Sequence, residues 1–439
     1  MASTLLYTRA RSGSIGDKML LWYFPIEMIY RFLLLRDIDT HLILPLQAFI
    51  LIYGFIAWGQ VVKNRNFKEL VTLYILYSIF SIFFIFLGNE SMPGYINDVR
   101  VVLLPMFAIF IGMKSTSIQI YRVFIYSVLA CMIVGLVLYF VKPAWYIQKL
   151  VEQWNDVWYS SGTATESNIM TGRFMWASRF TAIFVTPYAV SYFGTFALCL
   201  LTVDIYKDEE HRLIKNRLIQ IIIFIILAIA TILCQNRVAI VYLIFLLICG
   251  LYYGIKNKRS ERKFFIYLIA GSALVISVTL IKLAQDEFIS MIYETLLERV
   301  DESKLESMRV SSRHTQVVQT WESWDNYAFG QGLGSKSGVA RSMGHIGVTD
   351  NGYVKLLVEQ GIIGFVLMFA ILLGSMKRAF KYRKYFMGEL LILGYVPFTM
   401  TGANPLGMEF DYMIIMWLSL GHIWNKRYLD ECIVSNNRI

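Results

Sequence analysis

Apolar positions come in long uninterrupted stretches separated by short polar ones. Runs of roughly 17 to 25 apolar residues match the helix length needed to cross about 30 Å of hydrocarbon. About a dozen such spans follow, at 19–35, 42–62, 68–88, 99–114, 119–141, 182–204, 214–234, 238–255, 264–283, 352–376, 386–403 and 407–425. Stretches such as Leu218 to Cys234 do not alternate polar with apolar residues, which excludes the strands of a membrane barrel. The expected fold is therefore an all-α integral membrane protein, with residues 1–439 forming a single polytopic domain.

Composition agrees, since 57% of the 439 residues are hydrophobic and only 16% charged. A soluble domain could not bury that much apolar surface. The net charge of +10 belongs to the short loops between spans and reports orientation; it does not point to nucleic acid. The N-terminal arm, 63–68, Lys114 with Arg122, 207–217, 256–263, 377–384 and the Lys426-Arg427 tail are basic and fall on alternate connections. These are expected in the cytoplasm with both termini, leaving 36–41, 89–98, 142–181, 284–351 and 404–406 outside. The first apolar segment carries Glu27 and Arg31 and lacks a small-residue cleavage site, so it reads as a span and not a signal peptide. The five cysteines have neither metal-ligand spacing nor the pattern of a disulfide framework.

Two outward connections, 142–181 and 284–351, are long, and ordered loops of that length usually carry function. The first holds Trp145, Trp154 and Trp158 among apolar residues, as an amphipathic helix at the interface would. The second holds Trp321 and Trp324. Arginines gather on the outward side: Arg100, Arg173, Arg179, Arg237, Arg299, Arg309, Arg313 and Arg341. Taken singly, each is accounted for by headgroup snorkelling or a loop ion pair. Arg237 is different, because the Gln235-Asn236-Arg237 turn is too short to leave the membrane boundary, and a cation there requires an anionic partner. The planar fork of arginine suits phosphate oxygens, which points to a pyrophosphate headgroup.

Gly330-Gln331-Gly332-Leu333-Gly334 could wrap a phosphate, but no strand precedes it as a nucleotide fold requires. Asp350 precedes the tenth span, where an N-cap or a general base would sit. Asn351, Lys355 and Glu359 recur every four residues and share one helix face, so Lys355 and Glu359 could neutralise each other. Glu359, set within the span, is expected to be paired or to face a wet cavity. His314 and His345 are outward-loop histidines with nothing local to orient them. Asp37 and Asp39 could hold a divalent cation or serve as a base, though solvated loop acids explain them as well.

Taken in order, these motifs resemble the O-antigen ligase and polymerase superfamily over roughly residues 170–375. The resemblance rests on the Arg179 to Pro187 stretch, the Gln235-Asn236-Arg237 turn, Arg313 before Trp321, the glycine turn, and Asn351-Gly352-Tyr353 running into Glu359-Gln360-Gly361-Ile362-Ile363-Gly364. It implies a GT-C-like membrane fold in the bacterial inner membrane and an inverting glycosyl transfer from undecaprenyl-diphosphate-linked glycans at its outer face. No cofactor and no metal are implied. The implied partners are the lipid-linked donor and acceptor, the bilayer and a chain-length regulator. Arg179, Arg237, Arg313 and Arg309 would bind the diphosphate. Asp350, with His345 second, would be the base, and Gly330, Gly332, Gly334, Asn351, Tyr353 and Glu359 would shape the glycan site. The ligases usually carry His where this chain has Asp350, which favours a polymerase of O-antigen, capsule or exopolysaccharide. Ligation to a lipopolysaccharide core or a protein is the alternative, and a flippase a more distant one.

Overall fold

The computed structural model describes residues 15–39, 41–88, 91–115, 119–159, 179–184, 186–205, 207, 212–257, 313–337, 351–400 and 410–436. Among the described residues every regular element is helical: α1 (Ile15–Leu35), α2 (Ile43–Gln60), α3 (Arg65–Phe80), α4 (Ile82–Leu87) and α5 (Met92–Asp98). A π-helical turn over Val99–Leu103 leads into α6 (Leu104–Lys114), followed by α7 (Gln119–Val141) and α8 (Ala144–Tyr159). Then come α9 (Pro187–Asp204), α10 (Arg217–Leu233), α11 (Arg237–Asn257), α12 (Arg313–Glu322), α13 (Gly352–Lys381), α14 (Arg383–Met400), α15 (Phe410–Ile423) and α16 (Lys426–Asn436). The span expected at 264–283 lies outside the described residues.

Among the described residues five helical stretches are long and apolar enough to cross a membrane: Ile43–Gln60, Arg65–Leu87, Met92–Lys114, Gln119–Val141 and Gly352–Lys381. Arg217–Leu233, Arg237–Tyr252 and Met413–Ile423 are apolar but shorter. Many large apolar side chains on these helices face outward, among them Phe55, Phe83, Phe140 and Leu373. In water such a surface would aggregate; against lipid it is the stable arrangement. The chain is thus a helical integral membrane protein.

The centre of the bundle is α9, buried along nearly its whole length and packed against α7, α10, α11 and α14. Apolar residues all round a helix make this burial favourable. Its start departs from the expected span at 182–204, because the helix begins only at Pro187, with Thr186 accepting the Tyr188 N–H. Proline has no N–H to lose and is well suited to a first helical turn. The preceding Phe180, Thr181, Ala182, Ile183 and Phe184 are buried but not helical. Irregular backbone at such a depth survives only where protein surrounds it.

Connections separate to opposite ends of the bundle. At one end Lys149 pairs with Asp37, Phe180 N–H donates to the Leu233 carbonyl at 3.0 Å, and Gly94 packs on Gly334. At the other, Arg122 donates to the Leu213 carbonyl at 2.6 Å and Arg378 to that of Ile423 at 2.9 Å, while Asn425 donates to that of Ser115. The second end collects the described basic connections, at 63–68, Lys114 with Arg122, 212–217, 377–384 and Lys426-Arg427.

Candidate functional site

The glycine turn lies where three helical irregularities meet. The first is the break between α3 and α4 at Ser81, whose hydroxyl accepts the Leu333 N–H at 3.1 Å. The second is the π-turn that follows Asp98. The third is Gly361, whose φ of 61° and ψ of −174° interrupt α13 in a region essentially only glycine occupies. That interruption frees backbone groups, and the turn satisfies them: Gln331 N–H donates to the Val358 carbonyl at 2.9 Å and Gly332 N–H to that of Glu359 at 2.8 Å. Ile362 N–H in turn donates to the Tyr327 carbonyl at 2.9 Å. Gly330, Gly332 and Gly334 all have positive φ. A Cβ on Gly330 would fall 2.5 Å from the Glu359 carbonyl oxygen, so the approach of two backbones requires glycine here. The amides of Gln331 and Gly332 are thereby engaged by α13.

Beneath the turn lies a buried charge cluster. Lys355 Nζ is 2.8 Å from Asp98 Oδ2 and 3.6 Å from Glu359 Oε1. Glu359 Oε1 also accepts the Lys336 N–H at 2.9 Å. The pairing of Lys355 with Glu359 is the one their spacing suggests, but the nearer partner is Asp98, which belongs to none of the motifs the sequence marks. The signal for it was faint: one acid just ahead of an apolar run. The helix cap also differs from one of the two roles open to Asp350. Asn351 is the N-cap, its side chain accepting the N–H groups of Tyr353 and Val354 at 3.0 and 3.1 Å.

A second focus forms around Arg179 and Arg237. The Phe180 bond to Leu233 brings the Arg179 peptide alongside the Gln235-Asn236-Arg237 turn, and Arg179 stands within electrostatic reach of Cys234. Each motif contains a non-glycine residue in the left-handed region, Ala182 at φ 49° and Gln235 at φ 54°. Such conformations cost on the order of 1–3 kcal/mol and persist where the surroundings enforce them. Ala182 is pressed against Gly135 of α7, and Tyr146 of α8 donates its hydroxyl to the Ala182 carbonyl at 2.9 Å. Arg237 opens α11 with an exposed side chain, and Asn236 caps that helix, accepting the Val238 N–H at 3.1 Å.

The last turns of α14 link the two foci. Asn236 Nδ2 donates to Ser191 Oγ at 2.9 Å, and that hydroxyl lies 3.1 Å from the Tyr395 hydroxyl. Two residues further along α14, the Pro397 carbonyl accepts the Tyr353 hydroxyl at 2.7 Å. The Arg237 turn and the start of α13 therefore share one end of the bundle. Neither Ser191 nor Tyr395 is distinguishable in sequence from the other polar residues of apolar spans.

Arg313 is the first residue of α12, which packs on α13. Past it, Trp321, Trp324 and Tyr327 form an edge-to-face series with ring centroids 5.0 and 4.9 Å apart. Arg100 is exposed on the π-turn. Arg173, Arg299, Arg309, Arg341, His345 and Asp350 lie outside the described residues. In the connection between α1 and α2 Asp37 pairs with Lys149 and Asp39 sits 3.1 Å from His41. The amphipathic segment at 144–159 is α8, docked by Tyr146 and by Trp145, over which Arg36 sits 4.3 Å from the ring centroid.

Residues 222–369 match a family model described as O-antigen ligase. Over those residues the chain is similar to that family, and the match does not separate ligation from polymerisation. It takes in the Arg237 turn, α12, the glycine turn and the kink of α13, while Arg179 and Asp98 lie before it. No curated protein and no solved structure matches the chain.

Proposed function

We propose that the protein polymerises undecaprenyl-diphosphate-linked oligosaccharide repeat units at the outer face of the inner membrane, by inverting glycosyl transfer. The observation that carries this reading is the gathering of the Arg179 peptide, the Arg237 turn and the start of α13 at one end of the bundle. In the reaction the bond between the anomeric carbon and the diphosphate breaks, and a hydroxyl oxygen of an acceptor repeat unit bonds to that carbon from the opposite face. The hydroxyl proton passes to a base, for which Asp350 is the candidate and His345 the second. Negative charge grows on the departing diphosphate, so fixed guanidinium groups stabilise the transition state more than the ground state. Arg179, Arg237, Arg313 and Arg309 are assigned that role, with Asn351, Tyr353 and the glycine turn around the sugars. The basic end of the bundle is assigned to the cytoplasm, together with both termini.

The purified protein, given one species of lipid-linked repeat unit, is expected to build a ladder of longer lipid-linked glycans without nucleotide sugar or lipid A core. A ligase would leave that substrate unchanged until a separate acceptor was added, and transfer to lipid A core alone would overturn polymerisation. Asp350→Asn preserves size while removing the proton-accepting charge, so the ladder should form slowly. A ladder at the normal rate from that variant would remove Asp350 from the role of base.

A further inference from the structure

Asp98 belongs to none of the motifs above, yet it is the group on which the buried cluster turns. It ends α5, whose Gly94 lies so close to the glycine turn that a Cβ there would sit 2.5 Å from the Gly334 carbonyl oxygen. Asn97 Nδ2 donates to Asp98 Oδ1 at 3.2 Å, leaving Oδ2 for Lys355 at 2.8 Å. Asp98, Lys355 and Glu359 are respectively 1%, 6% and 3% exposed, so water does not screen their charges. A lysine ammonium with two carboxylates in reach is shared between them, and here the shorter contact is to Asp98. The Glu359 carboxylate can then take the Lys336 N–H while its own backbone carbonyl takes that of Gly332. Were Asp98 uncharged, Lys355 would have Glu359 as its one acid in this cluster and would compete with the Lys336 amide for the same oxygen.

We infer that Asp98 is a positioning residue: by holding Lys355 it leaves the Glu359 carboxylate to anchor the Gly330–Ser337 turn, and with it α12, against the kink of α13. The role in transfer rests on the polymerase reading above; the anchoring does not. Asp98 and Lys355 act here through the loop, without touching substrate.

The test uses full-length protein in lipid nanodiscs, with hydrogen exchange read at the amides of 331–337 and turnover read from the glycan ladder. Asp98→Asn should speed exchange at Gly332 and Lys336 about tenfold or more, leave α9 unchanged and lower kcat about tenfold. Asp98→Glu keeps the charge on a longer arm and should restore most of both. Wild-type exchange at those amides in Asp98→Asn would overturn the inference, as would slower turnover without faster exchange. If Asp98→Asn does not fold, Asp98→Asn combined with Lys355→Met carries the test: with no lysine left to compete for the Glu359 carboxylate, wild-type protection of 331–337 supports the anchor, and local loosening there overturns it. Faster loop exchange in Asp98→Asn, from a protein whose wild type builds no ladder, would support the anchor while overturning the polymerase reading.

Discussion

Lys355 Nζ lies 2.8 Å from Asp98 Oδ2, tying together two helices whose paired residues are 257 positions apart in the chain. Removing one partner of a buried pair leaves the other uncompensated, at a cost of about 3–5 kcal/mol. Lys355→Ala, which strands Asp98 and Glu359 together, should therefore lower the melting temperature in detergent more than Lys355→Met combined with Asp98→Asn. A double variant less stable than the single one would show that the pair is not what these residues contribute.

Gly361 supplies a conformation no other residue adopts easily, and a Cβ there would collide with the Ala328 carbonyl oxygen. Gly361→Ala should destabilise the protein by about 2 kcal/mol or more, combining strain with lost contacts between α13 and the glycine turn. Gly374→Ala is the control, since nothing lies within 4 Å of the added carbon. In a helix interior that change is neutral to favourable, by up to about 1 kcal/mol. Equal melting temperatures for the two variants would contradict the kink's role.

Arg179→Ala, Arg237→Ala and Arg313→Ala should each cut glycan transfer about tenfold or more, equal to about 1.4 kcal/mol of barrier. Lysine should rescue poorly, because a point charge cannot reproduce a bidentate fork. Three folded alanine variants with full activity would remove the diphosphate cradle from the mechanism.

Docking of α8 should depend on alkaline pH. A hydrogen bond from Lys149 to Asp37 raises the lysine pKa above its ordinary 10.5, with help from the charges of Asp37 and Glu152. A raised folded value means stability fully present below 10.5 and lost as pH rises through the folded pKa. Lys149→Gln should show a smaller loss of melting temperature between neutral and strongly alkaline buffer than wild type. Identical pH dependence in the two proteins would exclude the pair as a source of stability.

Sidedness is open to thiol labelling in a background without native cysteines. Cysteines at Ser160 and at the exposed Gln319 should react with an impermeant reagent in intact spheroplasts, and one at Ser260 should not. Ser337 is a poor reporter of side, because it is only 2% exposed. Protection of the first two positions with labelling at Ser260 would invert the proposed orientation.

The sequence by itself determined that the chain is helical and lies in a membrane, because apolar run length is set by bilayer thickness and needs no knowledge of neighbours. It also marked the Arg237 turn and the Lys355 and Glu359 pair, which are local patterns: a polar triplet between two spans, and two charges one helical turn apart. Tertiary structure decided what those patterns meet. Asp98 becomes the nearer partner of Lys355 only because the end of α5 meets the first turns of α13. Gln331 and Gly332 turn their amides to α13 because Gly361 opens the helix there. The Arg179 peptide joins the Arg237 turn through one backbone bond to Leu233. Contacts between residues far apart in the chain depend on how helices pack, and hydrophobic periodicity reports which face of a helix is buried without naming what covers it.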